Sequence, residues 1–526
     1  MTRAMKKDEL RYPGAHPAVW LIGLYILSRL CFFAAGVRFD LEPIATSWQI
    51  LDPVLLRENL AESLFYMPGQ PPLYNLIIGW VLKLGNDPLT LTIAFRTLYS
   101  AMAIASVLLL YSLVHKLTDS VKLAFGVATL FMLTPALVLY EAIPYYTLMI
   151  LSLLGTIAWL FHLCMERFTF ARAFAMFLAM AALIYTRSMF QWQWFVVLAL
   201  FCALVLPGYR KAVFAAAVIP LCLVFALYGK NVMVTGHFAT SDWMGMSLSK
   251  LTTLAIDKPE RQRLVDAGEL SDMALMDFPF NTPEAYADIF DDVAPTGITV
   301  LDQGRKSTGH VNYNHLAYAD VSEQALEDAI ASVRIHPEVY LRSMGTAWLM
   351  FMRPSSDYPF LQDNRAAIEP YSRAFSLLLA GQPKYPTEPK FDLEAGQIGI
   401  LVAIGYTLAV LYGLYLLIRC AIKRRVSAVE ATLIFLWLNI MYVSVIGNAF
   451  EVDENQRFRF SINPFIAATL AVMSYRFVRW NRRGERGGVF DRHLSGQSMF
   501  LRSSGGLLHH RLELCRQRSV YVEQLC

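Results

Sequence analysis

Apolar blocks of about 20 residues recur along this chain, and each has the length needed to cross a hydrocarbon core roughly 30 Å thick. Ten can be marked out: Pro17 to Gly36, Leu89 to His115, Val121 to Tyr140, Ile143 to Glu166, Thr169 to Tyr185, Phe190 to Pro207, Ala212 to Val234, Gly396 to Arg419, Ala428 to Ile446 and Pro464 to Trp480. The composition agrees, with 56% of the 526 residues hydrophobic and only 17% charged, where a soluble domain carries about a quarter charged residues. The pattern predicts an all-α, polytopic membrane protein with about ten (ten to twelve) transmembrane helices. The first block follows Arg3, Lys6, Lys7 and Arg11 as a signal peptide would. Its length and its lack of a small-residue cleavage pattern predict a retained helix instead.

Short cytoplasmic loops are enriched in Lys and Arg. Arg167 with Arg172, Arg210 with Lys211, Arg419 with Lys423 to Arg425, and Arg476 to Arg486 mark one side. If both termini share that side, the cytoplasm, then Pro71 to His115 crosses once, and Pro71 to Leu84 is an interfacial or re-entrant segment. This divides the chain into an N-terminal transmembrane module (1–235) containing a first outer loop (37–70), a long outer loop (236–395), C-terminal transmembrane helices (396–480) and a basic, unstructured cytoplasmic tail (481–526). The long loop holds 13 basic against 23 acidic residues, so positive charge is segregated to the other side. Val321 to Ile335 has helical apolar spacing, broken by His336-Pro337. The loop reads as a cap folded onto the membrane domain. None of the seven cysteines falls in it, so no disulfide framework is expected.

Chemistry points to the outer side. The first outer loop places Asp40 just after the first block, Asp52 further on, and then Gly69-Gln70-Pro71-Pro72-Leu73-Tyr74-Asn75, where paired prolines force extended geometry and a sharp turn into the membrane. A carboxylate such as Asp40, partly buried at a membrane surface, is suited to general-base work. Glu141, between two apolar blocks, is a second acid. Arg187 interrupts apolar sequence on the side where the positive-inside trend disfavours it, which makes it a candidate for an anionic lipid phosphate. The run Glu451 to Phe460 contains Asn455, Arg457 and Arg459; in extended chain both arginines point the same way and could grip one phosphate. Asn312 to Tyr318 offers amides and aromatic faces for a sugar. The chain has no Walker-type element, no His-Glu-x-x-His, no Cys-x-x-Cys and no nucleophile elbow.

An acid after the first transmembrane helix, with a proline-containing segment about thirty residues later, resembles the glycosyltransferase C superfamily, and within it family 39, with protein O-mannosyltransferases and lipid A aminoarabinose transferases among its members. The resemblance rests on Asp40, Gln70-Pro71-Pro72-Leu73-Tyr74 and Gln456-Arg457-Phe458-Arg459. It implies a membrane glycosyltransferase of inverting mechanism, with Asp40 as base and with Gln70, Arg187, Arg457 and Arg459 near the phosphate of a polyprenyl (undecaprenyl- or dolichyl-type) sugar donor. Tyr74 and Asn455 would lie in the same site. The family's adjacent acidic pair is spread here over Asp40-Leu41-Glu42, so Asp52 stays open as an alternative base. The expected partners are the donor lipid, a lipid, glycan or protein acceptor, and the membrane, with no nucleic acid. The expected location is a bacterial inner membrane, the site facing the periplasm. No cofactor is certain; a divalent cation is conceivable if Asp40, Glu42, Glu141 and Asp453 converge. The rival readings are a flippase for a lipid-linked sugar and a noncatalytic scaffold.

Overall fold

A computed structural model of the chain describes residues 17–290 and 294–498, with side chains described as far as residue 481. Its regular structure is helical throughout, with no strand among the described residues. In chain order the first helices are α1 (Pro17–Ala34), the three short helices α2 (Glu42–Thr46), α3 (Pro53–Glu58) and α4 (Leu60–Tyr66) of the first loop, α5 (Leu73–Leu82), α6 (Pro88–Thr118), α7 (Val121–Met132), α8 (Pro135–Glu141), α9 (Tyr146–Glu166), α10 (Phe170–Ile184), α11 (Trp192–Val205) and α12 (Arg210–Thr235). The long loop carries α13 (Met244–Ser249), α14 (Lys258–Asp266), α15 (Thr299–Asp302), α16 (Tyr318–Ile335), α17 (Pro337–Phe351), α18 (Gln362–Ala367) and α19 (Glu369–Phe375). Then follow α20 (Ile400–Lys423), α21 (Ala428–Phe450) and α22 (Asn455–Ser498).

Six helices are long and apolar enough to cross a membrane, seven if α7 and α8 count as one bent span. The block Val121 to Tyr140, expected as a single helix, is broken by 58°. Pro135 has no N–H to give and bars helical geometry at the preceding residue. Thr134 is accordingly extended, and its hydroxyl caps the new helix at the Leu137 N–H. Two other expected spans come out short, α10 with 15 residues and α11 with 14. Helix α5 has ten residues, about 15 Å of rise, half the thickness of a hydrocarbon core.

The chain divides into two compact units, residues 1–472 and 473–526. The described part of the second is the last part of α22, which runs to Ser498. Helix α22 thus extends over the first residues of the expected tail. Residues 499–526, and the basic residues before Pro17, lie outside the described residues. Cys31, Cys164, Cys202, Cys222 and Cys420 are free thiols.

Within the first unit the long loop forms a cap with its own small core, built from Trp243, Met246, Phe280, Tyr313, Tyr318 and Val321. The amphipathic helix expected at 321–335 is α16, which ends at His336-Pro337 as predicted. The cap grips the first loop directly. The Lys306 ammonium donates to the Ser47 and Ile50 carbonyls, each at 2.7 Å, and Ser307 donates its N–H and hydroxyl to Asp52 at 2.5 and 2.6 Å. At the other end of the loop, the Gly69 N–H donates to Asn314 at 3.2 Å, and Ser241 donates to the Gly69 carbonyl at 2.5 Å. A β-carbon at Gly69 would stand 2.7 Å from the Trp243 indole nitrogen, so the seam admits no side chain there.

Candidate functional site

Three segments distant in sequence meet around one phenol. Tyr146 opens α9 just after the extended Tyr145. Arg187 lies in the turn between α10 and α11, and Arg457 in the first turn of α22. Both guanidinium groups donate to the Tyr146 hydroxyl, Arg457 at 3.0 Å. Their carbons also lie 4.9 and 5.1 Å from the centre of that ring, a cation–π geometry. Arg457 is 1% exposed and pairs on its other side with Glu454, which accepts a further hydrogen bond from the Tyr358 hydroxyl at 2.7 Å. Burial alone would raise the Glu454 carboxyl, but the charges of Arg457 and Arg187 outweigh it and hold the group below the ordinary range.

A shallow crevice opens beside this network, lined by Tyr146, Thr147, Arg187, Met189, Arg457 and Ser461 among others. The Arg457 Nε is buried there without a hydrogen-bond partner among the described residues. Two guanidinium groups, and no carboxylate, are among the residues that line the crevice. Such a site suits an anion held by charge-assisted hydrogen bonds.

Asp40 lies elsewhere. It is half-buried, its carboxylate accepts the Glu42 N–H at 2.9 Å, and no ion pair engages it among the described residues. It is not among the residues lining the arginine crevice. Its own N–H donates to the Ala142 carbonyl at 2.9 Å, and four residues of chain separate Ala142 from Tyr146, a reach of at most about 14 Å. The Tyr145 hydroxyl, bonded to Gln49 at 3.0 Å, ties the first loop to the same link. Tyr74 adds another tie: its hydroxyl donates to the Pro144 carbonyl at 2.5 Å, and its ring meets Tyr146 edge-on at 5.5 Å. Gln70 is buried at the foot of that loop.

Other residues singled out from the sequence have structural partners. Arg459 does not join Arg457 in gripping one group. Helix α22 begins at Asn455, and in a helix residues two apart project about 200° from one another. Arg459 instead donates to the carbonyls of Phe351 and Arg353 and to Ser355 and Asn463. The Asn455 amide nitrogen is spent on Gly447, Asn448 and Glu451. Glu141, the last residue of α8, is buried against α1 and α6, bonded to Arg29 at 2.7 Å, Ser100 at 2.7 Å and Tyr25 at 2.5 Å. Asp52 caps α3 and receives Ser307. In Asn312 to Tyr318, Asn312 holds the Val300 and Gln303 carbonyls, while Tyr313 and Tyr318 bond Phe280 and Asn281; this run is cap framework. Among the described residues no group of three or more His, Cys, Asp or Glu could hold a metal ion.

The sequence had pointed to Arg187 and Arg457 but not to Tyr146, Tyr358 or Glu454. Glu454 carried a readable signal, standing three residues before Arg457 at ion-pair spacing for a helix.

No protein-family model matches the chain, and no curated protein matches it. Solved structures do. An oligosaccharyltransferase from Archaeoglobus fulgidus, AglB in complex with an inhibitory peptide and a dolichol-phosphate, is similar at a TM-score of 0.39 and 12% identity, over 95% of this chain and 54% of that one. The apo form of the Archaeoglobus fulgidus enzyme gives a TM-score of 0.37 at 10% identity, with the same coverage. The form tethered to an acceptor peptide gives 0.35 at 13% identity, over 86% of this chain and 49% of that one. This chain spans about half the length of those proteins.

Proposed function

We propose that the chain is a membrane glycosyltransferase that moves a sugar from a polyprenyl phosphate carrier to an acceptor hydroxyl on the outer face of the membrane. The observation that carries this reading is the convergence of Arg187 and Arg457 on Tyr146 at one crevice. In the reaction the acceptor oxygen attacks the anomeric carbon, with Asp40 taking the acceptor proton. The bond from that carbon to the phosphate oxygen breaks with inversion, and the electron pair leaves on the polyprenyl phosphate. Charge that grows on the leaving oxygen is stabilised by the arginines more in the transition state than in the ground state. Asp40 suits the role of base because its carboxylate is half-exposed and engaged in no ion pair among the described residues, whereas those of Asp52 and Glu141 are occupied.

The test is release of polyprenyl phosphate by the full chain, reconstituted in lipid, from a panel of polyprenyl-phosphate sugars and alcohol acceptors. Turnover by the wild type, lost in Asp40→Asn with an unchanged thermal unfolding profile, is the expected result. Full activity in Asp40→Asn would remove Asp40 from the mechanism. Transfer of the intact lipid between leaflets without bond cleavage would replace the enzyme by a flippase.

A further inference from the structure

A second cluster of arginines lies apart from the Tyr146 crevice. Helices α1 and α6 run antiparallel, since the Tyr25 hydroxyl donates to the Ser100 carbonyl while Arg96 lies over the Phe33 ring at 4.9 Å. At the C-terminal end of α1 a shallow, open crevice is lined by Arg29, Phe33, Arg38, Arg96 and Glu141 among others. Three guanidinium groups therefore share one carboxylate, and Glu141 is committed to Arg29 at 2.7 Å. Arg38 lies over the Phe33 ring at 3.9 Å and donates to the Phe33 and Val37 carbonyls. Among the described residues, neither Arg38 nor Arg96 has a carboxylate within ion-pair reach, and Arg29 keeps its Nη2 buried with no hydrogen-bond partner.

The surroundings are apolar and outward-facing. Leu30 and Phe33 on α1 are 61% and 41% exposed, and Leu89 and Ile93 on α6 are 66% and 57% exposed. Arg96 stands one turn beyond Ile93 on the same helix face. An ionisable group on a helix that crosses a membrane is costly to keep without a counter-charge. A ligand that matches this place has a negative head for the arginines and hydrocarbon for the exposed leucines and isoleucine. We propose that the crevice between α1 and α6 binds the phosphate of an anionic membrane lipid, Arg96 and Arg38 holding the phosphate oxygens and the acyl chains lying along Leu30, Leu89 and Ile93. The crevice shares no lining residue with the Tyr146 crevice, although it adjoins Asp40, whose N–H donates to the lining residue Ala142.

Native mass spectrometry of the full chain in detergent, titrated with phosphatidylglycerol or phosphatidylcholine, tests it. The wild type retains phosphatidylglycerol about tenfold more strongly than phosphatidylcholine. Arg96→Gln removes most of that difference, and Arg96→Lys keeps most of it. Arg38→Gln, at an exposed position outside the helix, gives an intermediate loss and keeps the test alive should the Arg96→Gln chain fail to fold. Equal retention of the two lipids by the wild type, or an undiminished preference in both Arg96→Gln and Arg38→Gln, overturns the proposal. Displacement of the lipid by inorganic phosphate alone, at equal concentration, would assign the site to a free anion instead.

Discussion

The Tyr146 hydroxyl receives two guanidinium donors, and the two donors are held very differently. Arg457 is buried and balanced by Glu454, so Arg457→Leu strands a carboxylate in a low-dielectric site and should cost about 3–5 kcal/mol. Removing both partners together, as Arg457→Leu with Glu454→Leu, should recover most of that loss; denaturant unfolding in detergent separates the two outcomes. Arg187 is half-buried with no ion-paired carboxylate of its own among the described residues, so Arg187→Gln should change stability little while lowering turnover of a lipid phosphate donor at least tenfold, by analogy with loss of an oxyanion donor. Arg187 was legible in the sequence as a charge kept within apolar surroundings. Arg459 was misread because its direction depends on whether the chain there is extended or helical, and nothing in the Gln-Arg-Phe-Arg pattern fixes that choice. The start of α22 does.

Helix packing offers sharper tests than helix existence. Gly413 of α20 faces Trp437 of α21, and a β-carbon there would stand 2.1 Å from the indole ring and 2.8 Å from its Cβ. Small residues at such crossings let membrane helices approach closely. Gly413→Ala should therefore displace Trp437 from its 3.0 Å bond to the Val410 carbonyl and cost about 1–3 kcal/mol by overpacking. Gly126→Ala on α7, where nothing lies within 4 Å, serves as the neutral control, and thermal unfolding of the two variants in one detergent checks the contrast. All ten apolar blocks are helical, because length and hydrophobicity are additive properties of sequence. The 58° break at Thr134 was hidden by the same averaging, although the Thr-Pro pair carried the information. Glu141 depends on that break: it sits at the end of the short α8, where it meets Arg29 of α1.

Across the first unit, the stability of the cap should respond to pH. His237 faces Asp242 and Glu323, each at 3.5 Å. The Asp242 carboxylate leads the causes that raise its pKa from 6.5 to about 9, against the opposing effect of burial. A raised folded-state value means that the stabilisation is fully present below pH 6.5 and is lost as pH climbs through about 9. Lys306 acts oppositely: burial lowers it from 10.5 to about 8, so its contribution favours folding as pH rises between those values. The unfolding temperature of the full chain should hence fall between pH 6.5 and 8, and His237→Gln should flatten that fall. Asp52→Ala, which removes a helix cap together with both bonds from Ser307, should cost about 2–3 kcal/mol at any neutral pH. That the long loop would fold over the membrane part was readable from its amphipathic helix and charge. Which residues it would grip was not, since such pairings join positions far apart in sequence.

Those pairings also impose an order in time. Asp52 and Ser307 lie 255 positions apart, and a ribosome adding about 5–20 residues per second needs tens of seconds to travel between them. During that interval the first loop, with Asp40 and the proline turn, exists without its clamp, and whatever crosses or inserts later must leave it room. The loop that carries the proposed base is made first and finished last.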